Sequence, residues 1–415
     1  MFRSKPDNRN KVIRTMDFSL SPELEALRQK TGAFVKEHCI PLESPRESFD
    51  EHENIPLEKL AILRDKAKAV GLWAPQMPKE LGGMGLTMAE QAVIYEEANY
   101  SIFGPAALNC SAPDDGNMRL LSMVGTEEQK KIWLQPIIDG KVRSAFVMTE
   151  PHPGAGSDPA GMMRTKAEKK GDKWVVHGRK WFITGAGASD HFILIARTSD
   201  DPRNGLSAFL FHKDQPGWEI VRKVPIMGPE EHGGHCELRF DGLEIAEENI
   251  LMKLGDGLRA TQIRLGPARL THCMRWLGMA KRAMSIAADY AKERESFGET
   301  LAEHEGVQWM LGEAAMQIHT GRLLTMYAAW KLDQGDRARK ELSMAKVEVA
   351  EMLNSVINTC IQICGARGYS QDTLLEWMYR YARQAKLVDG ASEVHKMVMA
   401  RFFMQEGTDF WSWDH

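Results

Sequence analysis

The chain has 415 residues, 43% hydrophobic and 27% charged, with a formal net charge of -4 at pH 7. That length supports two or three modules, each with its own core. The near balance of charge gives no electrostatic footprint for nucleic acid or an acidic membrane. No apolar run reaches membrane-spanning length. Six cysteines without a CxxC pair suggest reduced thiols in an intracellular compartment.

Residues 1–16 are basic and lack an apolar signal core, so they read as a disordered extension rather than a secretory peptide; an organelle-targeting role stays open. Residues 17–143 read as an all-α domain. SPELEALRQKTGAFVKEH opens with a Ser N-cap and a first-turn Pro, QMPKELGGMGLT is a Gly-rich loop, and TEEQKKIWLQPIIDGK has Thr126 ahead of its acids and Gly140 behind its end. The period changes over 144–255. KWVVHGRKWFITG, HFILIART, LSAFLFHKD and ELRFDGLEIA are short, β-branched and aromatic, and parted by turns, which predicts an antiparallel barrel or sandwich.

Helices return over 256–405. Cys273, Leu277, Ala280, Met284, Ala287 and Ala291 repeat at helical spacing, as do Leu342, Ala345, Val349, Met352, Val356, Cys360 and Ile363. Long helices with one apolar stripe each predict an antiparallel bundle. Pro267 falls in an early turn of the first of them or bends it. Residues 406–415 form a tail. There is no internal repeat, and the fold class is α+β in the order α, β, α.

Three stretches carry candidate chemistry. MTEPHPGAGSDPAG (148–161) combines small residues with the hydroxyls of Thr149 and Ser157. It reads either as a ligand loop or as an inter-domain turn, but not as a Rossmann or P-loop fingerprint. EEHGGHCE (230–237) has metal-ligand residue types without zinc-site spacing, so it reads as a Gly-rich loop with structural or substrate-facing histidines. Cys360 and Cys364 read as core. In LVDGASEVHK (387–396), Asp389 is either a catalytic base or the first half of an Asp-Gly turn. Strand alternation puts Trp181 and Phe182 on opposite faces, so at most one lies on a cofactor.

Together KELGGMGLT, MTEP with GAGSD, WFIT, YAKERESFG and CIQICGARGY resemble, in order, motifs of the acyl-CoA dehydrogenase family. The resemblance runs from about Asp17 to Phe403. It implies an all-α N-terminal domain, a middle β-barrel and a C-terminal four-helix bundle, with FAD as cofactor. It also implies an acyl-CoA substrate, an electron-transferring flavoprotein as acceptor, and a homodimer or homotetramer. A carboxylate takes the α-proton and flavin N5 the β-hydride, giving a trans-2-enoyl-CoA. Donors on the thioester carbonyl stabilise the developing enolate. The expected setting is the cytoplasm of a bacterium or the mitochondrial matrix of a eukaryote.

Carried over by position, Phe146, Met148, Thr149, Phe182 and Thr184 would meet the flavin ring, and Ser157 the flavin and pantetheine. Arg294 and Phe297 would reach a neighbouring subunit's cofactor. Gln362, Gly365 and Ala366 would hold the adenosine side, and Ala391 and Glu393 would also lie on the cofactor. Arg269 and Gly390 would meet the substrate, and the base position falls on Asp389. No metal is implied.

The departures from the family pattern are Asp for Glu at the base, Ala268 at the alternative base position, Glu305 and Glu393 for glutamines, two extra residues (His152 and Pro153), and Phe182 for Trp. APDDGNM, HGGHCE, GPARLTHCMR and DGASEVH resemble the branch fused in animals to a phosphotransferase-like domain. That branch implies a redox-neutral elimination of phosphate from 4-phosphoacyl-CoA, with the HGGH histidines and nearby arginines serving the phosphate. A non-catalytic scaffold that keeps the fold without flavin is a third alternative.

Overall fold

The computed structural model describes residues 19–412; the basic extension and the last three residues lie outside the described residues. The first helices begin where local chemistry satisfies their free N–H groups. Ser21 accepts from the Leu24 N–H at 3.2 Å ahead of α1 (Pro22–Phe34). After α2 (Leu57–Ala69), Thr87 and Glu90 form a reciprocal capping box on α3 (Met88–Ala98). α4 (Asp114–Val124) follows, and Thr126 and Gln129 then form the cap expected of TEEQ.

The strands are β1 (Ser144–Val147), β2 (Lys166–Lys170), β3 (Lys173–Thr184), β4 (His191–Arg197), β5 (Leu206–His212), β6 (Trp218–Lys223), β7 (His235–Ala246) and β8 (Ile250–Leu251). They form one eight-stranded sheet in the order β6-β7-β3-β2-β4-β5-β8, with β1 joined to β4. Most neighbours are antiparallel, as the turn-rich sequence predicts. β1 instead runs parallel to β4, with Ser144 opposite His191, because a long loop and two strands separate them in the chain. The sheet wraps around its own core of Val147, Phe192, Leu194, Phe209, Phe211 and Leu238.

β4 is buried along both faces. Phe192, Leu194 and Ala196 point into the sheet's core, while Ile193 and Ile195 join the core of the helices. Burial on both sides is why HFILIAR reads as an unbroken apolar run. β1 obeys the same alternation: Ala145 and Val147 face the sheet core, and Phe146 and Met148 face the helices.

The C-terminal part holds α5 (Gly257–Glu293), a hairpin of β9 (Glu295–Ser296) and β10 (Glu299–Thr300), α6 (Glu305–Asp333), α7 (Arg339–Cys364), α8 (Leu375–Ala382) and α9 (Ser392–Glu406). α7 packs on α5, α6 and α9, which makes the four-helix bundle. Every member of the predicted stripe on α7 is buried, and on α5 only Met284 is partly exposed. Pro267 lies inside α5 without ending it, so the Ile263 carbonyl lacks its helical donor.

The N- and C-terminal helices share one apolar core rather than two. Gly278 marks the closest approach, because a Cβ there would sit 2.1 Å from the Glu96 carbonyl oxygen on α3. Gly278→Ala is therefore expected to lower stability by about 1–3 kcal/mol, read as a drop in Tm; an unchanged Tm would contradict this packing.

Candidate active site

Asp389 follows the short helical turn Arg383–Lys386 and precedes the first turn of α9. Its φ of +53° is left-handed, which Asp tolerates better than most residues, so the Asp-Gly turn and the candidate base are the same residue. Its carboxylate is only 15% exposed. Oδ1 lies 3.5 Å from Arg264 Nη1, and Oδ2 lies 3.3 Å from His272 Nε2. Neither is a well-formed hydrogen bond, and Oδ2 meets no such partner among the described residues.

Other groups hold the backbone. Arg269 Nε donates to the Asp389 carbonyl at 2.8 Å, and the same oxygen lies 3.4 Å from His395 Nε2. Lys346 Nζ donates to the Ala385 and Gly390 carbonyls at 2.7 and 3.4 Å. Burial alone would raise the Asp389 pKa, but His272, Arg264 and Arg269 outweigh it and hold the carboxyl well below the usual range. Burial beside Arg269 and Lys346 depresses His395 to about 4, so its imidazole is neutral at neutral pH.

α9 starts without a side-chain cap, so its first N–H groups are offered to whatever oxygen lies beside Asp389 and Gly390. Glu393, in the first turn of α9, and Glu305, in the first turn of α6, complement the positive ends of those helices, which gives each a place its glutamine counterpart would not need.

Arg264 links this cluster to the strands, since its guanidinium lies over the Phe146 ring at 5.0 Å. Beyond Phe146, the Trp181 N–H donates to the Thr149 carbonyl at 3.0 Å, and Thr149 Oγ1 donates to the Trp181 carbonyl at 2.6 Å. The β3–β7 register breaks between Lys180 and Ile183. At this bulge Phe182 takes a φ of +51° and is left 43% exposed. The bulge also overrides the expected alternation: Trp181 and Phe182 meet edge to face at 4.8 Å instead of lying on opposite faces. An exposed aromatic at a bulge, beside Thr149 and Thr184, fits a flat heteroaromatic ring such as a flavin.

The loop after β1 is held from within. Glu150 accepts from the backbone N–H groups of Ala155, Arg164 and Thr165 and from Lys180 Nζ at 3.0 Å. Lys180 is fully buried and also donates to the Met148 carbonyl at 2.7 Å. Gly154 is required there, because a Cβ would come within 2.6 Å of Glu150 Cβ. Ser157 is on the exposed side of this loop.

The remaining expected residues form a second group, far from Asp389. Arg294 caps the end of α5, Phe297 is 98% exposed in the hairpin, and Gln362, Gly365 and Ala366 are exposed at the end of α7. Arg367 lies 5.8 Å from the Tyr290 ring, so these two helix ends are neighbours. Along α5, Arg269 and Arg294 are about 35 Å apart.

The HGGH histidines do not face this cluster's cations. His232 Nε2 lies 2.7 Å from the Ile55 carbonyl, and His235 Nδ1 is 3.0 Å from Thr184 Oγ1. They join the sheet to the N-terminal helices and to the Phe182 edge, and the cations come from α5 and α7 instead. Among the described residues no group of three or more His, Cys, Asp or Glu is arranged to hold a metal.

Reasoning from sequence missed Arg264, His272, Lys346 and His395. It also missed Asp114, which accepts from the Ser144 N–H and hydroxyl, and Asp115, which accepts from Arg275 and Thr271. A signal was present: Arg264, Ala268, Thr271, His272 and Arg275 are spaced to share one face of an otherwise apolar helix.

Three models of acyl-CoA dehydrogenase domains match the chain in order: N-terminal over 21–141, middle over 145–243 and C-terminal over 255–404. Acyl-CoA dehydrogenase family member 11 of Gallus gallus is 37% identical over 90% of the chain, which spans about half (49%) of that relative's length. "Probable acyl-CoA dehydrogenase FadE2" of Mycobacterium tuberculosis is also 37% identical, over 93% of the chain and 96% of its own length. The solved butyryl-CoA dehydrogenase of Megasphaera elsdenii superposes with a TM-score of 0.82 at 27% identity, covering 94% of this chain and 100% of that one. The chain belongs to the acyl-CoA dehydrogenase family, whose members are FAD-binding flavoproteins.

The Glu150–Lys180 pair gives the first test of the site. Lys180→Met leaves a buried carboxylate without its cation and is expected to cost about 3–5 kcal/mol. It should also speed proteolysis within 151–165; an equally resistant loop would show that the pair does not hold it.

Proposed function

We propose that this chain is an FAD-dependent acyl-CoA dehydrogenase in which Asp389 is the base. The observation that carries the reading is a buried carboxylate whose Oδ2 makes no well-formed hydrogen bond among the described residues and is faced by His272 Nε2 at 3.3 Å, lying at an uncapped helix start and one side chain away from Phe146. FAD, when bound, would supply the hydride acceptor. Asp389 removes the α-proton, the pair of electrons left at Cα forms the double bond as hydride leaves Cβ, and trans-2-enoyl-CoA results. Electrons then pass to an electron-transferring flavoprotein.

A carboxylate held at low pKa is a weak base, but the same surroundings favour the transition state. Arg264 and the N–H groups at the start of α9 are donors beside Asp389 available to a thioester oxygen as it gains negative charge, and each such donor is worth on the order of 10²–10³ in rate. Phe146, Met148, Thr149, Phe182 and Thr184 form the ring-facing edge, with Ser157 on the loop beside it and Ala391 and Glu393 beyond the base. Arg269 and Gly390 frame the acyl-CoA. Arg294, Phe297, Gln362, Gly365 and Ala366 are too remote from Asp389 to serve the same cofactor, which supports a homodimer or homotetramer in which they reach a partner's FAD. Six buried, unpaired cysteines fit a reducing compartment such as the cytoplasm or mitochondrial matrix.

A second reading is favoured by one observation: three cations, Arg264, Arg269 and Lys346, converge on the Asp389 turn, though only Arg264 faces the carboxylate while Arg269 and Lys346 hold backbone carbonyls. That excess suits an anionic substituent on the acyl chain and the redox-neutral branch. There Asp389 would again remove the α-proton, the Cγ–O bond would break with its electron pair leaving on phosphate, and the hydride taken from Cβ would end on Cγ, so that 2-enoyl-CoA and phosphate form with no net oxidation. Phosphate release from a 4-phosphoacyl-CoA without any electron acceptor would establish it, and would overturn the simple dehydrogenase.

Asp389→Asn suits the left-handed backbone and removes only the charge. It is expected to keep the flavin spectrum and to slow bleaching by acyl-CoA by about 10²–10⁴-fold; undiminished bleaching would refute Asp389 as the base. Because the free enzyme holds this carboxyl low, kcat/KM should show no acid limb from Asp389 between about pH 5 and 8. The acid limb of kcat should lie higher, because bound acyl-CoA expels water from the carboxylate. A kcat/KM limb that Asp389→Asn abolishes within that window would contradict this electrostatic account.

A further inference from the structure

The charged groups around Asp389 divide by what they hold. Arg269 and His395 from α5 and α9 meet its carbonyl, and Lys346 from α7 meets neighbouring carbonyls. Only Arg264 and His272 face the carboxylate itself, one at each oxygen. His272 therefore helps decide where Oδ2 points.

Its protonation follows from its other neighbour. Arg275 Nη2 lies 3.3 Å from His272 Nδ1, and a guanidinium nitrogen can only donate, so Nδ1 must present its lone pair. A neutral imidazole then carries its one proton on Nε2, the atom 3.3 Å from Asp389 Oδ2. A second proton, on Nδ1, would oppose the guanidinium directly. Arg275 cannot turn away, because Nη1 donates to Asp115 Oδ2 at 2.5 Å and to the Cys110 carbonyl at 2.9 Å. Asp115 is buried and also accepts from Thr271 at 2.8 Å. Trp276 stacks on the imidazole at 5.1 Å and 25°, fixing the plane of the ring.

We propose that His272 is a positioning residue for Asp389, locked by Asp115 and Arg275 as the neutral Nε2-protonated tautomer that aims the carboxylate at the substrate. The inference rests on the reading of Asp389 as the base. It gives a shared purpose to two motifs far apart in the chain, APDD and LTHCMR: the first holds the arginine that sets the histidine of the second.

The test has one arm that needs no turnover. In holoenzyme labelled with ¹⁵N in its imidazoles, the signals lost in His272→Gln identify this residue. The expected pattern is a neutral ring with the proton on Nε2 across about pH 6–8; an Nδ1-protonated or doubly protonated ring would overturn the proposal. The second arm compares two amides by flavin bleaching with a saturated acyl-CoA. Gln places a donor near the Nε2 position and should stay within several-fold of the parent rate. Asn can satisfy Arg275 but does not reach Asp389, and should be slower by about 10²-fold with little change in KM. Equal rates for the two variants would also overturn the proposal. Should Asp389→Asn prove active, the base assignment falls, while the ¹⁵N pattern still decides the tautomer. If neither amide variant folds, the same pattern in the parent protein, assigned by its pairing with Arg275, decides alone.

Discussion

A charge kept inside a packed helical body sets the terms for the rest of this molecule. An isolated buried carboxylate would cost several kcal/mol and would be expected to protonate. Asp389 avoids this because Arg264 and His272 flank its two oxygens, while Arg269 and His395 fix the carbonyl of the same residue. Those groups need anchors of their own, and the start of α4 provides them. Asn117 and the Pro113 carbonyl accept from Arg264, and Asp115 accepts from Arg275. The N-terminal helices thus do more than cover the bundle: they hold the groups around Asp389 in register.

The sheet's contribution is geometric. β1 enters parallel to β4, so its alternate residues serve two cores, and Phe146 emerges between the strands and α5. The bulge in β3 turns Phe182 outward on the same edge. Asp389 approaches from the other direction, across the guanidinium of Arg264. A substrate held between these two walls would present opposite faces to a base and to a ring, which is the arrangement that removal of a proton and a hydride from adjacent carbons requires.

Much of this was legible in the sequence, for reasons that can be named. Period-3.6 stripes such as Leu342 to Ile363 are set by burial of one helix face, so their prediction needed no tertiary information. The flat strands β4 and β5 were legible as strands, but not the parallel entry of β1, which depends on contacts across a long loop. The family resemblance put the base position on Asp389, yet its turn and its electrostatics could not be separated until the left-handed backbone and the surrounding cations were seen together. The alternation rule misplaced Trp181 and Phe182 because a bulge depends on what β7 offers as partner. Arg264, His272 and Lys346 escaped because their importance lies in convergence from two helices, and a single chain read in order shows only positions on each.

The account stands or falls on where the carboxylate lies when substrate is present. The most direct measurement is an experimental structure of the FAD-loaded protein with an acyl-CoA analogue that cannot lose hydride. The account predicts an Asp389 carboxylate oxygen about 3–3.5 Å from the analogue's Cα, on the side away from the flavin. A carboxylate turned away from Cα, with a different basic group in that place, would contradict it.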